Sequence, residues 1–550
     1  MAARWRAVAA VAGGTALIGL HGWTYGNWIN DDAAITFAYA RDLAEGAGPV
    51  LQPGAAPVEG FSNPAWLALL VLGKVLHLFD TGAILGVPDY VLFPKALGLA
   101  CCAGILAACH FAVKRVTRWP SLVTVFAGGL LAAIPSFVIW SLSGLENPLY
   151  ALAVAWLAAL LFRALAGGRV HDARIAAGAG LLAAVAALTR PDGVIFVVAY
   201  PLVVLVFARR VRAVVPASAG VLAFAVPYGA YLLWRHAEFG RWVPNTAVAK
   251  NQQPPALADV TRVAEPVEYL GWPVVVAGVL VTGLALWLVP ALRRPLAGWL
   301  VPLVLALVAY CVLNPEPGGE FRFATPLWTM AALVAAVTVV EGLRALPVRR
   351  RALLAVVLAG AAVPSAPALA DSGRGFASGP VVPLCQIAER YGRVFNGYAD
   401  TIGLREGSVL LPDIGGTTLT SRLRVVDSVG LADAHIADLV SAGDFAGFRD
   451  YVFDEVRPTF IHSHVPWSDL TGLTHDARLS GEYAAVVLDR TGQNGDWVRL
   501  DALDGDDLVR LRAYARVTVP RVEAERAGSV TGRCGAVLRP GQLPSSAAGR

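Results

Sequence analysis

Asp31 and Asp32 stand side by side in the run Trp28-Ile29-Asn30-Asp31-Asp32-Ala33, directly after the first apolar stretch of the chain. Adjacent carboxylates at a membrane border are costly unless they pair, hold a cation or face water. A carboxylate in that place can take a proton from a hydroxyl while the oxygen forms a new bond. The competing reading is helix capping, because residues 33–44 read as a helix and Asp is a good cap. One Asp suffices for a cap; a pair is harder to explain that way. The pair could also hold a divalent cation, with Asp31 and Asp32 as the candidate ligands, but two adjacent carboxylates are not a complete site.

Other polar side chains gather at the ends of apolar runs: Glu59 and Asn63, Glu146 and Asn147, Arg190 and Asp192, Asn245 and Lys250, and Arg322. Carboxylates and amides there can hydrogen-bond sugar hydroxyls. Arg190, Lys250 and Arg322 can neutralise a phosphate, or serve as interfacial anchors. Together with a base these are the parts for moving a sugar from a lipid phosphate to a hydroxyl. The phosphate is already a good leaving group, and the anomeric carbon gains oxocarbenium character. His462 and His464 share one strand face at i, i+2. With no third ligand nearby in sequence, they read as a polar loop. Asp413-Ile414-Gly415-Gly416 reads as a turn, since it lacks the Lys and Ser/Thr of a phosphate loop.

These residues need a membrane scaffold. Of 550 residues 56% are hydrophobic and 15% charged, which points to a polytopic membrane protein. Lys74, Lys95, Lys114 and Lys250 are the only lysines; the other basic residues are arginines. The net charge of +5 is small and the arginines sit in loops, which excludes a nucleic-acid stripe. Apolar runs lie near 7–28, 61–79, 91–112, 120–140, 148–166, 174–189, 194–208, 213–233, 271–291, 296–313, 323–343 and 352–370. The first, behind Arg4 and Arg6, reads as an uncleaved span because no small-residue cleavage site follows it. The basic clusters include Lys114-Arg115, Arg209-Arg210 with Arg212, and Arg349-Arg350-Arg351. All fall on the cytoplasmic side if the run 61–79, which carries Lys74, His77 and Asp80, lies on the outer leaflet. That predicts about 11 transmembrane helices, a cytoplasmic N-terminus, and every candidate motif on the outer face.

The expected organisation is a transmembrane module over 1–370, with outer loop 29–60 and juxtamembrane helix 61–79. A C-terminal extracytoplasmic α/β domain follows over 371–526, and a disordered tail over 527–550. Strands are predicted at 409–411, 423–429 and 459–461, with helices over 432–443 and 445–456. Cys101, Cys102, Cys109 and Cys311 lie in apolar runs. Cys385 and Cys534 lie in the polar part, where a disulfide and two free thiols are equally open.

The stretches 28–50 and Val58-Glu59-Gly60-Phe61-Ser62-Asn63-Pro64-Ala65-Trp66 resemble the first outer loop and juxtamembrane segment of GT-C class membrane glycosyltransferases. Ser143-Gly144-Leu145-Glu146, Thr189-Arg190-Pro191-Asp192 and Asp427-Ser428-Val429-Gly430-Leu431-Ala432-Asp433 extend the match. Within that class the chain is most similar to the terminal β-arabinofuranosyltransferase group of mycobacterial cell walls. The resemblance implies a polyprenyl-phosphate sugar donor, a cell-envelope polysaccharide acceptor, and a base from the first outer loop, here Asp31 or Asp32. It also implies transfer on the outer face of the plasma membrane. The rivals are a flippase for lipid-linked precursors and a non-catalytic envelope sensor. A transporter would show internal repeats and broken helices at mid-membrane; no repeat is visible, and charge gathers at the outer ends of the runs.

Overall fold

The computed structural model describes residues 2–207, 214–251, 256–314, 319–528 and 539–540. Arg209, Arg210, Arg212, Cys534 and nearly all of the expected tail 527–550 lie outside the described residues. The chain divides into two compact units. One comprises residues 1–26, 94–234 and 253–381; the other comprises 27–93, 235–252 and 382–550.

The first unit is helical. Across the chain, five helices are long and apolar enough to cross a membrane: Asp89–Val113, Asn147–Ala166, Pro216–Phe239, Pro290–Val312 and Arg322–Ala345. Three bent pairs raise the number to eight if each is one span. Among the described residues the expected count of 11 exceeds both figures. Some apolar runs break sharply, as at residues 133–134, where the two halves meet at 88°. Others make helices of 10–17 residues, namely Pro64–Val75, Ala173–Thr189 and Pro191–Phe207. A straight crossing needs about 20 residues. Helices approach closely where small residues meet. A Cβ on Gly128 would lie 2.5 Å from the Cα of Gly14, and one on Gly298 would lie 2.4 Å from the backbone nitrogen of Phe162.

The second unit is built on a five-stranded mixed sheet. Its strands are β1 (Ser408–Leu411), β2 (Arg424–Asp427), β3 (Phe460–Ser463), β4 (Tyr483–Leu488) and β5 (Gly495–Arg499), in the order β2-β1-β3-β5-β4. β1 pairs in parallel with β2 and β3, whereas β3–β5 and β5–β4 are antiparallel. Strand alternation divides the side chains between two buried faces. Leu410, Val426 and Ile461 join Ile436, Phe448, Val452 and Phe453 in one cluster. On the opposite face the Phe395 ring stacks edge-on to Phe460 and His462. The predicted helices appear as Ala434–Ala442 and Phe445–Asp450, the latter continued by a wider turn over Tyr451–Val456.

Two helices from early in the chain belong to the same unit: α1 (Asp31–Ala44) and α2 (Pro64–Val75). The backbone of 29–31 pairs with 382–384 through Asp31 N–H to Val382 O and Leu384 N–H to Ile29 O, both 3.0 Å. Gln52 closes the edge of β2: its amide oxygen accepts from Val425 N–H at 2.9 Å, and its NH2 donates to Leu423 O at 3.3 Å. Edge strands need such cover.

Candidate active site

Asn30, not Asp31 or Asp32, caps α1: its side chain accepts from the Asp32 N–H at 3.0 Å. The capping explanation for the acidic pair therefore fails. The Asp31 carboxylate is buried and accepts from Gly416 N–H at 2.7 Å and Gly415 N–H at 3.1 Å. Both donors open α3 (Ile414–Thr420), where a turn was expected. The two glycines are required by this approach. A Cβ on Gly415 would lie 2.6 Å from a carboxylate oxygen of Asp31, and one on Gly416 would lie 2.6 Å from Leu384 O. Burial, then the neighbouring Asp413 charge, push the Asp31 carboxyl well above the usual carboxylate range, against the pull of the two amides. Asp32 is only partly buried.

Asp413 immediately precedes α3, and its Oδ2 lies 2.8 Å from His464 Nε2. The polar-loop reading holds for His464, which follows β3, and fails for His462, which is buried within it. His462 lies within β3, directly across from Asp496 on β5, and its Nδ1 is 2.7 Å from Asp496 Oδ1. Arg390 and the Tyr398 hydroxyl, at 2.9 and 2.8 Å, complete the partners of Asp496 Oδ2. Arg390 and His462 hold the Asp496 carboxyl well below the carboxylate range despite full burial. Burial pushes His462 below the ordinary histidine value, against the pull of Asp496. Among the described residues no group of three or more His, Cys, Asp and Glu side chains is placed to hold a metal ion.

The remaining residues of this unit brace the loop. Glu59 is buried against Arg235, with Oε2 2.6 Å from Nε and Oε1 3.1 Å from the guanidinium NH2. Tyr39 donates to Val58 O at 2.6 Å and accepts from Gly60 N–H at 3.1 Å. Asn63 donates to the Thr36 hydroxyl at 3.3 Å. Asn245 donates to Gly430 O and Leu431 O at 2.7 and 3.0 Å. That loop is wound around Asp427, whose carboxylate accepts from the amides of Val429, Gly430 and Ala432. Burial pushes the Asp427 carboxyl up to about 7. Lys250 is exposed at the end of the Asn245–Ala249 helix. Cys385 is disulfide-bonded.

In the helical unit Arg190 is buried between Glu146 and Asp192, at 3.0 and 2.9 Å. Arg322 lies 3.9 Å from Glu146. The Asn147 amide donates to Arg322 O at 2.8 Å. Here the sequence motifs at 144–147, 190–193 and 320–323 converge, with the Arg190 guanidinium over the Phe323 ring.

Sequence reasoning missed Asp413, His464, Arg235 and the Arg390–Asp496 pair. A signal existed for the first two. Asp413 follows β1 and His464 follows β3, which are adjacent parallel strands, and the carboxyl ends of such strands are where α/β sheets place their sites.

No family model matches this chain. Over 251 residues it is 28% identical to the terminal β-(1→2)-arabinofuranosyltransferase of Corynebacterium glutamicum, covering 42% of this chain. The match spans only 34% of that protein's length. Among solved structures, ArnT from Cupriavidus metallidurans in the apo state aligns with a TM-score of 0.56 at 13% identity, over 92% of this chain and 100% of that one. The oligosaccharyltransferase AglB from Archaeoglobus fulgidus, in complex with an inhibitory peptide and a dolichol-phosphate, aligns with a TM-score of 0.50 at 12% identity, over 93% and 77%. This chain is thus a polytopic helical membrane protein with the fold of the GT-C glycosyltransferases.

Proposed function

We propose that this protein moves a sugar, arabinofuranose by its sequence likeness, from a polyprenyl-phosphate donor to a cell-envelope glycan on the outer face of the plasma membrane. One observation carries the reading: Asp31 is fixed by two backbone amides, and Asp32, the next residue and less buried, stands on the same rigid helix start. In this reading Asp32 takes the acceptor hydroxyl proton. The acceptor oxygen bonds to the anomeric carbon as the bond from that carbon to the phosphate oxygen breaks. The electron pair leaves with the phosphate. Asp31 is a positioning residue.

The GT-C fold and the partial match to an arabinofuranosyltransferase support the transfer. The dolichol-phosphate held by AglB supports a lipid-phosphate donor. Exposed Lys250 is the proposed phosphate partner in the same unit. Arg190 and Arg322 are proposed for phosphate from their residue types, with Glu146, Asn147 and Asp192 holding them. Glu59, Asn63 and Asn245 act on sugar through the loops they brace. The short Pro64–Val75 helix suits a juxtamembrane element.

The test is transfer from a labelled polyprenyl-phosphate arabinose by purified Asp31→Asn and Asp32→Asn variants. Removing the base should cost Asp32→Asn roughly 10²–10⁴-fold in rate. Full activity in that variant removes Asp32 from catalysis. Lipid translocation by the wild type without transfer would favour the flippase reading.

A further inference from the structure

His464 makes two short contacts, and their chemistry fixes its proton count. Its Nδ1 lies 2.8 Å from the Val465 carbonyl oxygen, which can only accept, so Nδ1 carries hydrogen. Its Nε2 lies 2.8 Å from Asp413 Oδ2. With Nδ1 committed, that second contact is a hydrogen bond only if another proton lies between the ring and the carboxylate. The pair therefore holds an imidazolium against a carboxylate. Burial opposes the charge, but Asp413 and the Val465 carbonyl outweigh it and hold His464 above the ordinary histidine range.

The surroundings give this cation a task. Asp413 adjoins the two glycines that grip Asp31, and its charge bears on the Asp31 carboxyl. Three carboxylates, Asp31, Asp32 and Asp413, thus share one place, and His464 sits on one of them. Its other charged or titratable neighbours are His462, with ring centroids 5.5 Å apart, and Arg390. Asp496 on β5 and Glu523 on the C-terminal helix take up Arg390, and Tyr391 covers His462 at 4.3 Å. His462 faces Asp496 through Nδ1, and its Nε2 is buried without a hydrogen-bond partner.

We propose that His464 is a positioning residue that cancels the Asp413 charge so that an anionic phosphate donor can be accepted beside Asp31 and Asp32, and that loss of its proton sets the alkaline limit of transfer. The inference rests on the glycosyl-transfer reading above. Below the His464 pKa the Asp413–His464 pair is neutral. Above it one uncompensated negative charge stands where a phosphate must approach. Activity should therefore fall as pH rises through the His464 pKa, chiefly through a higher KM for the donor.

The experiment is the pH profile of transfer, with polyprenyl-phosphate arabinose, for wild type, His464→Gln, Asp413→Asn and the double variant, each checked for membrane abundance and monodispersity. His464→Gln should lose about tenfold or more, the equivalent of one pKa unit, and should lose the alkaline limb. Adding Asp413→Asn to it should restore most of the rate without restoring the limb. Either a wild-type pH profile and rate in His464→Gln, or a double variant as poor as His464→Gln, overturns the inference. A fully active Asp32→Asn variant, or no transfer by the wild type, instead overturns the reading on which it rests. If His464→Gln does not fold, Asp413→Asn alone decides: the alkaline limb must vanish there too.

Discussion

At the scale of single residues, buried charge is spent in pairs. Glu59 and Arg235 are both almost fully enclosed. Breaking such a pair leaves an unpaired charge and costs about 3–5 kcal/mol. Glu59→Gln is expected to lower thermal stability by that order, read by the unfolding temperature of the detergent-solubilised protein, and Arg235→Met added to it should recover part of the loss. The acidic pair was legible in the sequence because two carboxylates after an apolar run violate the ordinary pattern. Arg235 was not legible, since an arginine ending an apolar helix reads as an anchor. His462 was misread for another reason. Its partner Asp496 is 34 residues away, and only the antiparallel register of β3 and β5 makes them neighbours.

At the scale of elements, α3 shows why sequence pattern fails. Ile414-Gly415-Gly416-Thr417-Thr418-Leu419-Thr420 contains two glycines and three threonines, poor helix formers. The helix forms nonetheless, with the Thr418 and Thr420 hydroxyls bonded back to Ile414 O and Gly416 O. Its first glycine has no room for a side chain. Gly415→Ala places a methyl 2.1 Å from Asp31 O. The expected outcome is a loss of transfer comparable to that of Asp31→Asn, with normal membrane insertion; unchanged transfer would show that the Asp31–α3 contact is dispensable. β1, β2 and β3 were predicted within a few residues. β4 and β5 were missed because Asp489 to Asn494, rich in turn residues, breaks the apolar signal. The bent pairs were equally hidden, since a hydropathy run does not record direction.

At the scale of the whole molecule, hydropathy reported the class of fold, and among the described residues five to eight helices are long and apolar enough to cross. The expected topology puts residues 30–60 and 382–526 on the outer face. Reporter fusions after Gly54 and Gly505 should both be active as periplasmic or extracellular enzymes, and one in the cytosol would sink the placement. A second measurement is independent of fusions. Cys385 is disulfide-bonded and the four cysteines of the apolar runs are buried and free. Cys385 should resist alkylation in intact cells until a reductant is added, as judged by mass shift. Alkylation without reductant would place it in a reducing compartment.

The grip of Gly415 and Gly416 on Asp31 also has a dimension in time. The partners are 384 residues apart in the chain. At about 5–20 residues per second of synthesis, Asp31 waits roughly 20–80 s for its amides. Until then the acid lies ungripped at the membrane border. The proposed catalyst is therefore silent until α3 has been made, and a truncated product ending before α3 is expected to be inert.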